Sequence, residues 1–261
     1  WLAAQTSPSH HVLVLGGTAE ARALAQALGA AGLPVTFALL SPTGSVEPPR
    51  HCRLHVGSFG GEEGLRSFLT HEGITVFINA LHPHAVFMQQ RAVDVAQTLT
   101  IPTFRLQRPL WQALAQDQWQ HFTSAADLCA AVAHAGHQRL FGAIGPQAMR
   151  AFLPLAEHAT LYGRRFDPGK GDGEAPVTWI DAAPHPSLED ERGLFKSLAI
   201  DALLTKNSGG ARPAKLDAAA RLGLPVFLLD PPTLSGPSMT QWEDILEAVL
   251  ALPTPEDPQG L

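Results

Sequence analysis

Gly16-Gly17-Thr18-Ala19-Glu20 is the first segment whose residue types could do chemistry. It follows the apolar run Val12 to Leu15 and precedes apolar residues at Ala21, Leu24, Ala25 and Leu28. The change from a continuous apolar run to a 3.6-residue period predicts strand, tight turn and helix. Backbone amides and the positive end of the helix dipole at such a turn can hold a phosphate group. The segment is not G-x-G-x-x-G, so a plain βα turn is the alternative, with Glu20 supporting the helix start or binding a hydroxyl. After the next strand, Leu40-Ser41-Pro42-Thr43-Gly44-Ser45 offers hydroxyls with no carboxylate before Glu47, and Arg50 follows. An acidic residue usually receives the ribose hydroxyls of NAD at this point, so Ser41, Thr43 and Arg50 favour the 2′-phosphate of NADPH. Ser58 and His82 complete the expected cofactor set.

Asn79-Ala80-Leu81-His82-Pro83-His84-Ala85 lies at the carboxyl end of an apolar run. Two imidazoles in one turn suit a proton donor, and His82 is the candidate catalyst there. No cysteine or carboxylate nearby completes a metal shell, so no metal is expected. Thr205-Lys206-Asn207-Ser208-Gly209-Gly210-Ala211-Arg212-Pro213 brings two cations, an amide, a hydroxyl and a glycine pair into one turn. Lys206 as a point charge and Arg212 as a fork can receive an anionic ligand, with the Ser208 to Gly210 amides free to approach it. Arg164 and Arg165 add charge to the same rim. No G-x-x-x-x-G-K-[ST] or G-x-S-x-G occurs, which sets aside a P-loop and a serine hydrolase.

The elements that must position these turns alternate. Strands are expected over residues 12–15, 34–40, 51–57, 74–80 and 101–106, with helices over 21–28, 62–71 and 85–99 between them. Residues 108–122 read as a crossover. Strands then follow over 139–144, 158–162, 199–205 and 225–229, with helices over 146–157, 188–198, 213–222 and 241–252, and a mobile loop over 167–174. Alternation of this kind implies α/β architecture: two tandem Rossmann-like parallel-sheet lobes, with a ligand cleft where their carboxyl edges face each other. The expected division is 1–107 for the cofactor lobe, 108–252 for the substrate lobe and 253–261 for a proline-rich tail.

Composition narrows the partners. Eighteen Lys and Arg against 24 Asp and Glu give a formal charge of −6 over 261 residues, unlike a phosphate-backbone binder, so no nucleic acid is expected. No apolar run approaches the length of a bilayer span, so a soluble, cytoplasmic protein is expected. Cys52 and Cys129 stand far apart and read as reduced thiols.

Three quoted segments together resemble the precorrin-6A and cobalt-precorrin-6A reductases of cobalamin biosynthesis. These are Leu15-Gly16-Gly17-Thr18-Ala19-Glu20-Ala21-Arg22, Leu81-His82-Pro83-His84-Ala85, and Leu204-Thr205-Lys206-Asn207-Ser208-Gly209-Gly210 continuing to Lys215-Leu216-Asp217-Ala218-Ala219. The G-G-T-x-E-A-R start and the T-K-N-S-G-G turn, in that order and spacing, carry the resemblance. The family's D-A-T-H-P-F-A reads Asn79-Ala80-Leu81-His82-Pro83-His84-Ala85 here, so no acidic role passes to Asn79, and A-R-G-P-F is partly matched by Glu191-Arg192-Gly193-Leu194-Phe195.

The resemblance implies an oxidoreductase that takes hydride from NADPH and reduces one double bond of the tetrapyrrole precorrin-6A to give precorrin-6B. Neighbouring enzymes of the corrin pathway are implied as partners. Lys206, Asn207, Ser208, Gly209, Gly210, Arg212, Arg164 and Arg165 would receive the substrate's carboxylates. The proton would come from His82, from Lys206 or from solvent. A reductase of another conjugated substrate and a non-catalytic nucleotide or anion sensor are the alternative readings.

Overall fold

The computed structural model describes residues 9–40, 47–165, 176–184 and 187–255, and the loop expected at 167–174 lies outside them. Two compact units result. In the first, β1 (Val12–Leu15), α1 (Ala19–Ala30), β2 (Val35–Leu39), β3 (Arg53–Val56), α2 (Gly61–His71), β4 (Val76–Asn79), α3 (Val86–Thr98) and β5 (Thr103–Arg105) follow in turn. The strands form a parallel sheet in the order β3-β2-β1-β4-β5. Strand side chains alternate between faces, so Val12, Val14, Phe37 and Ile78 meet Leu24 and Leu28 of α1. Leu13, Leu15 and Phe77 meet Leu65 of α2 and Val95 of α3 on the other side. Both faces are covered, which explains why β1, β2 and β4 are buried at every residue.

The second unit contains β6 (Gln118–Phe122), α4 (Ala125–Ala135), β7 (Arg139–Ala143), α5 (Pro146–Met149), a 3₁₀ helix (Arg150–Glu157), β8 (Thr160–Arg165) and β9 (Val177–Asp181). It continues with α6 (Leu188–Ser197), β10 (Ala202–Lys206), α7 (Ala214–Arg221) and β11 (Pro225–Leu229). Its six strands are all parallel, in the order β6-β11-β10-β7-β8-β9.

Several expectations change. The presumed crossover over 108–122 ends in strand β6, an edge strand whose residues are all at least partly exposed and therefore lack an apolar run. Helix α4 and strand β9 were not expected. Alanine-rich α4 is bounded by Ser124, which accepts the Asp127 N–H, and by Gly136 at φ 76°. The helix expected over 146–157 tightens into 3₁₀ geometry around Pro154, which has no N–H to donate. Strand β8 runs on through Arg164 and Arg165, so these residues belong to the strand itself.

The C-terminal helix was expected in the second lobe, but residues from Thr233 onward return to the first unit, whose first segment ends at Pro109. Met239 donates its N–H to the Arg105 carbonyl and accepts from the Gln107 N–H, joining the edge beyond β5. Ile245 and Val249 of α8 (Trp242–Leu250) are then buried against α1. No described helix is long and apolar enough to cross a membrane.

Replacing Ile245, which is fully buried, with alanine should cost about 3 kcal/mol through lost burial and a residual cavity. Urea unfolding at pH 7 reads this, and a loss under about 1 kcal/mol would show that α8 is not part of the core.

Candidate functional site

In the first unit the crossovers leave β1 and β4 in opposite directions, one through α1 to β2 and the other through α3 to β5. Ligands of open parallel sheets sit at the carboxyl ends of such a strand pair. The turns after β1 and β4 meet there. A Cβ on Gly16 would stand 2.3 Å from the Ala80 carbonyl oxygen, and the φ of +132° at Gly16 also disfavours any other residue. Thr18 caps α1 by accepting the Ala21 N–H at 3.1 Å, while its hydroxyl donates to the Ala80 carbonyl at 3.3 Å. Gly17 and Ala19 are exposed beside this N-terminus. A dinucleotide phosphate fits such a turn through backbone N–H groups and the helix dipole.

Glu20 is answered by a partner that sequence reasoning missed: the Arg108 guanidinium lies 3.3 Å from its carboxylate and offsets its charge. Asn79 and Gln89 form a buried amide pair, Asn79 Nδ2 donating to Gln89 Oε1 at 2.9 Å. Asn79 Oδ1 accepts the Leu81 N–H and Gln89 Nε2 donates to the Leu81 carbonyl, so the pair shapes the turn that carries His82. The His84 N–H donates to His82 Nδ1 at 3.1 Å, which puts the proton of a neutral His82 ring on Nε2. Ser58 is exposed just beyond β3, where its hydroxyl accepts the Gly60 N–H.

Arg50 is not brought to this edge. Its neighbour His51 lies against Gly29 in the last turn of α1, and the Cys52 thiol donates to the Ala25 carbonyl. The chain there leads into the amino end of β3, opposite the Gly16 turn, and this corrects the expected role. Arg22 stands closer to the expected place, with its guanidinium 5.4 Å from the centre of the Phe37 ring on β2 and donating to the Glu47 carbonyl. It ends the G-G-T-x-E-A-R segment, a signal available in the sequence. Ser41 and Thr43 lie outside the described residues.

The second unit repeats the arrangement. From β7 the chain runs through α5 to β8, and from β10 through α7 to β11, so the crossovers diverge between β7 and β10. Lys206 ends β10 at this point, and Gly209 and Gly210 turn the chain with φ of 65° and 75°. Burial lowers the Lys206 ammonium below its ordinary value. Arg164 reaches the α6 side of the sheet, 8% exposed, and pairs at 2.7 Å with Glu191, itself 1% exposed. The Arg164 guanidinium also lies over the Phe141 ring, and its Nε has no partner among the described residues.

Lys215, in the first turn of α7, joins this group with its ammonium 5.5 Å from the Trp111 ring centre. Burial first, then Arg164, lower it to about 8; Glu191 raises it and Lys206 adds a smaller lowering. Lys215 is a candidate that sequence reasoning missed, although its place five residues after the K-N-S-G-G turn is visible in the sequence.

Three expected ligands already have structural partners. Asn207 is buried, its Oδ1 accepting the Trp111 and Gly209 N–H groups and its Nδ2 donating to the Trp111 carbonyl, so it fixes the turn. Arg212 gives both terminal nitrogens to Asp117 at 2.7 and 2.8 Å and its Nε to Asp217, stacking on Trp119. Arg165, on the opposite face of β8 from Arg164, pairs with Asp181 over Trp179. Ser208 is half-buried within the turn.

Two parallel sheets, one with a dinucleotide-type turn and the other with a cationic turn, define the class as a two-unit α/β protein with a candidate anion-binding turn in each unit. The sequence model of the family described as Precorrin-6x reductase CbiJ/CobK matches residues 11–250. The chain is 38% identical over 226 residues to a precorrin-6A reductase of Rhodobacter capsulatus, covering 85% of this chain and 88% of that protein. It is 35% identical over 241 residues to one of Rhodococcus erythropolis, covering 91% and 95%. A solved structure described as CobK precorrin-6A reductase superposes with a TM-score of 0.81 at 32% identity, over 92% of this chain and 96% of that one. The chain belongs to the precorrin-6x reductase family, oxidoreductases of cobalamin biosynthesis.

Asp117 supplies a stability test. Burial alone would raise its carboxyl, but hydrogen bonds from Arg212 and the Leu114 N–H, with the guanidinium charge, hold it below the usual range. A depressed carboxylate stabilises the fold above its unfolded pKa of about 3.9 and loses that contribution as pH falls through the lower folded value. Arg212→Ala should therefore cost about 3 kcal/mol in urea unfolding at pH 7, by stranding a buried carboxylate. The deficit should shrink below about pH 4. A deficit constant down to pH 2.5 would contradict the pairing.

Proposed function

We propose that the protein reduces precorrin-6A to precorrin-6B with NADPH, binding the cofactor on the first unit and the tetrapyrrole's carboxylates on the second. The observation that carries this reading is the cationic excess at the second switch point: among the described residues Arg164 and Lys206 both act on Lys215 to lower it, and Glu191, paired with Arg164 at 2.7 Å, is the carboxylate that opposes them. An isolated excess of charge is costly to keep part-buried, and a substrate rich in acetate and propionate groups offsets it. The names of the relatives support the same substrate.

NADPH is favoured over NADH by the hydroxyl-rich segment of Ser41 and Thr43 and by Arg22 beside β2. Gly16, Gly17, Thr18 and Ala19 hold the cofactor's phosphates, and the Arg108–Glu20 pair keeps the turn from repelling them. When bound, reduced nicotinamide supplies the hydride. The chain's own task is to hold the acceptor carbon within about 3.5 Å of it and to exclude water. His82 stands at the β4 turn beside the cofactor's phosphate site, and Lys206 with the Ser208–Gly210 turn receives substrate. The reaction takes place in the cytoplasm, and the product passes to neighbouring enzymes of the corrin pathway.

Oxygen-free mixing of the protein with metal-free precorrin-6A should oxidise NADPH, with NADH slower. Cofactor binding without reduction of this tetrapyrrole or its cobalt form would overturn the substrate assignment. Lys206→Ala should raise the tetrapyrrole Kd about tenfold or more and leave that of NADPH unchanged. Gly17→Val should weaken NADPH about tenfold by covering the turn's amides and leave tetrapyrrole binding intact. Titration of each ligand separately checks both, and the opposite pattern would exchange the two sites.

A further inference from the structure

Reduction of a conjugated double bond consumes a proton as well as a hydride. The hydride brings both electrons and forms one C–H bond as the π bond breaks, and the second new C–H bond needs a proton from an acid. Among the cations at the second switch point, Arg164 cannot serve, because a guanidinium does not release its proton in this pH range. Lys206 ends a strand and is shifted by burial alone.

Lys215 is placed differently. It sits in the first turn of α7, over the Trp111 ring, and the charged groups acting on it come from three other elements: Arg164 on β8, Glu191 on α6 and Lys206 on β10. Two of these are cations, and the one carboxylate is committed to Arg164 at 2.7 Å. Among the described residues no carboxylate forms an ion pair with Lys215.

We propose that Lys215, packed over Trp111 in the first turn of the helix that follows the second switch-point turn, is the catalytic acid that delivers the balancing proton to the tetrapyrrole. The inference rests on the reductase reading above. After transfer, Nζ is a neutral amine, which the neighbouring Arg164 and Lys206 cations favour, and it regains its proton from solvent. Glu191 is the positioning residue: it fixes Arg164 and supplies the negative charge that keeps Lys215 protonated before substrate arrives. Substrate carboxylates add to that charge, so binding loads the acid for transfer. An ammonium lowered to about 8 is close enough to neutral pH to give up its proton during turnover.

Lys215→Arg separates proton delivery from charge. It keeps a cation for carboxylates but cannot release a proton, so kcat should fall about 100-fold or more while the KM for precorrin-6A stays within about threefold. In the wild type, kcat/KM should fall as pH rises through about 8, because the protonated form is required. Independently of turnover, competitive acetylation followed by mass spectrometry should show Lys215 itself titrating near 8. An ordinary lysine midpoint would overturn the proposal even if the arginine variant failed to fold. Retained kcat in Lys215→Arg, or a raised KM with kcat unchanged, would reduce Lys215 to an anchor and also overturn it. A wild-type protein that reduces no tetrapyrrole would overturn the functional reading together with the proposal, whereas an active wild type with an unimpaired arginine variant would overturn the proposal alone.

Discussion

A parallel sheet leaves a crevice at the carboxyl ends of its strands where two neighbouring strands send their crossovers to opposite sides, and the candidate turns in both units are placed by that constraint. In the first unit the divergence falls between β1 and β4, and Gly16 must be glycine because the Ala80 carbonyl occupies the space a Cβ would need. In the second it falls between β7 and β10, where Lys206 leaves the sheet and Asn207 ties the turn to Trp111. Both sheets are buried on both faces by helices, so their edges at these points are where backbone amides and charged side chains can meet a ligand.

The two switch points differ in how they treat charge. The first offers backbone donors and offsets its one acidic neighbour, Glu20, with Arg108. The second concentrates cations and keeps them apart from the acidic surface: Arg164 and Glu191 are nearly inaccessible, and Lys215 is crowded by its neighbours. A chain with net charge −6 thereby holds a positive site, since local geometry and not the total decides what a turn receives. The chain that carries both arrangements belongs to the precorrin-6x reductase family.

Much of this was legible in the sequence because strands buried on both faces write continuous apolar runs, as at Val12–Leu15 and Ala202–Leu204, and because glycine pairs mark the turns that follow. Strand β6 was hidden by its edge position, which leaves Gln118–Phe122 without an apolar run. Helix α8 was assigned to the wrong unit because nothing in its own pattern says which sheet will cover Ile245 and Val249. The partners of the expected site residues were hidden for a related reason. Residue type shows that Arg212 is a cation, but not that Asp117 and Asp217 have already claimed it. Arg50 is close to the end of β2 in sequence, yet the chain carries it to the other end of α1. Conversely, Arg108 meets Glu20 only because distant segments are brought together.

The central claim is a division of labour between the two switch points, and hydrogen–deuterium exchange with one ligand at a time tests it most directly. NADP+ alone should slow exchange at residues 16–21 and 80–85, and the tetrapyrrole alone should slow it at 207–216, with little effect on the other segment in either case. Protection of 207–216 by NADP+, or of 16–21 by the tetrapyrrole alone, would contradict the account.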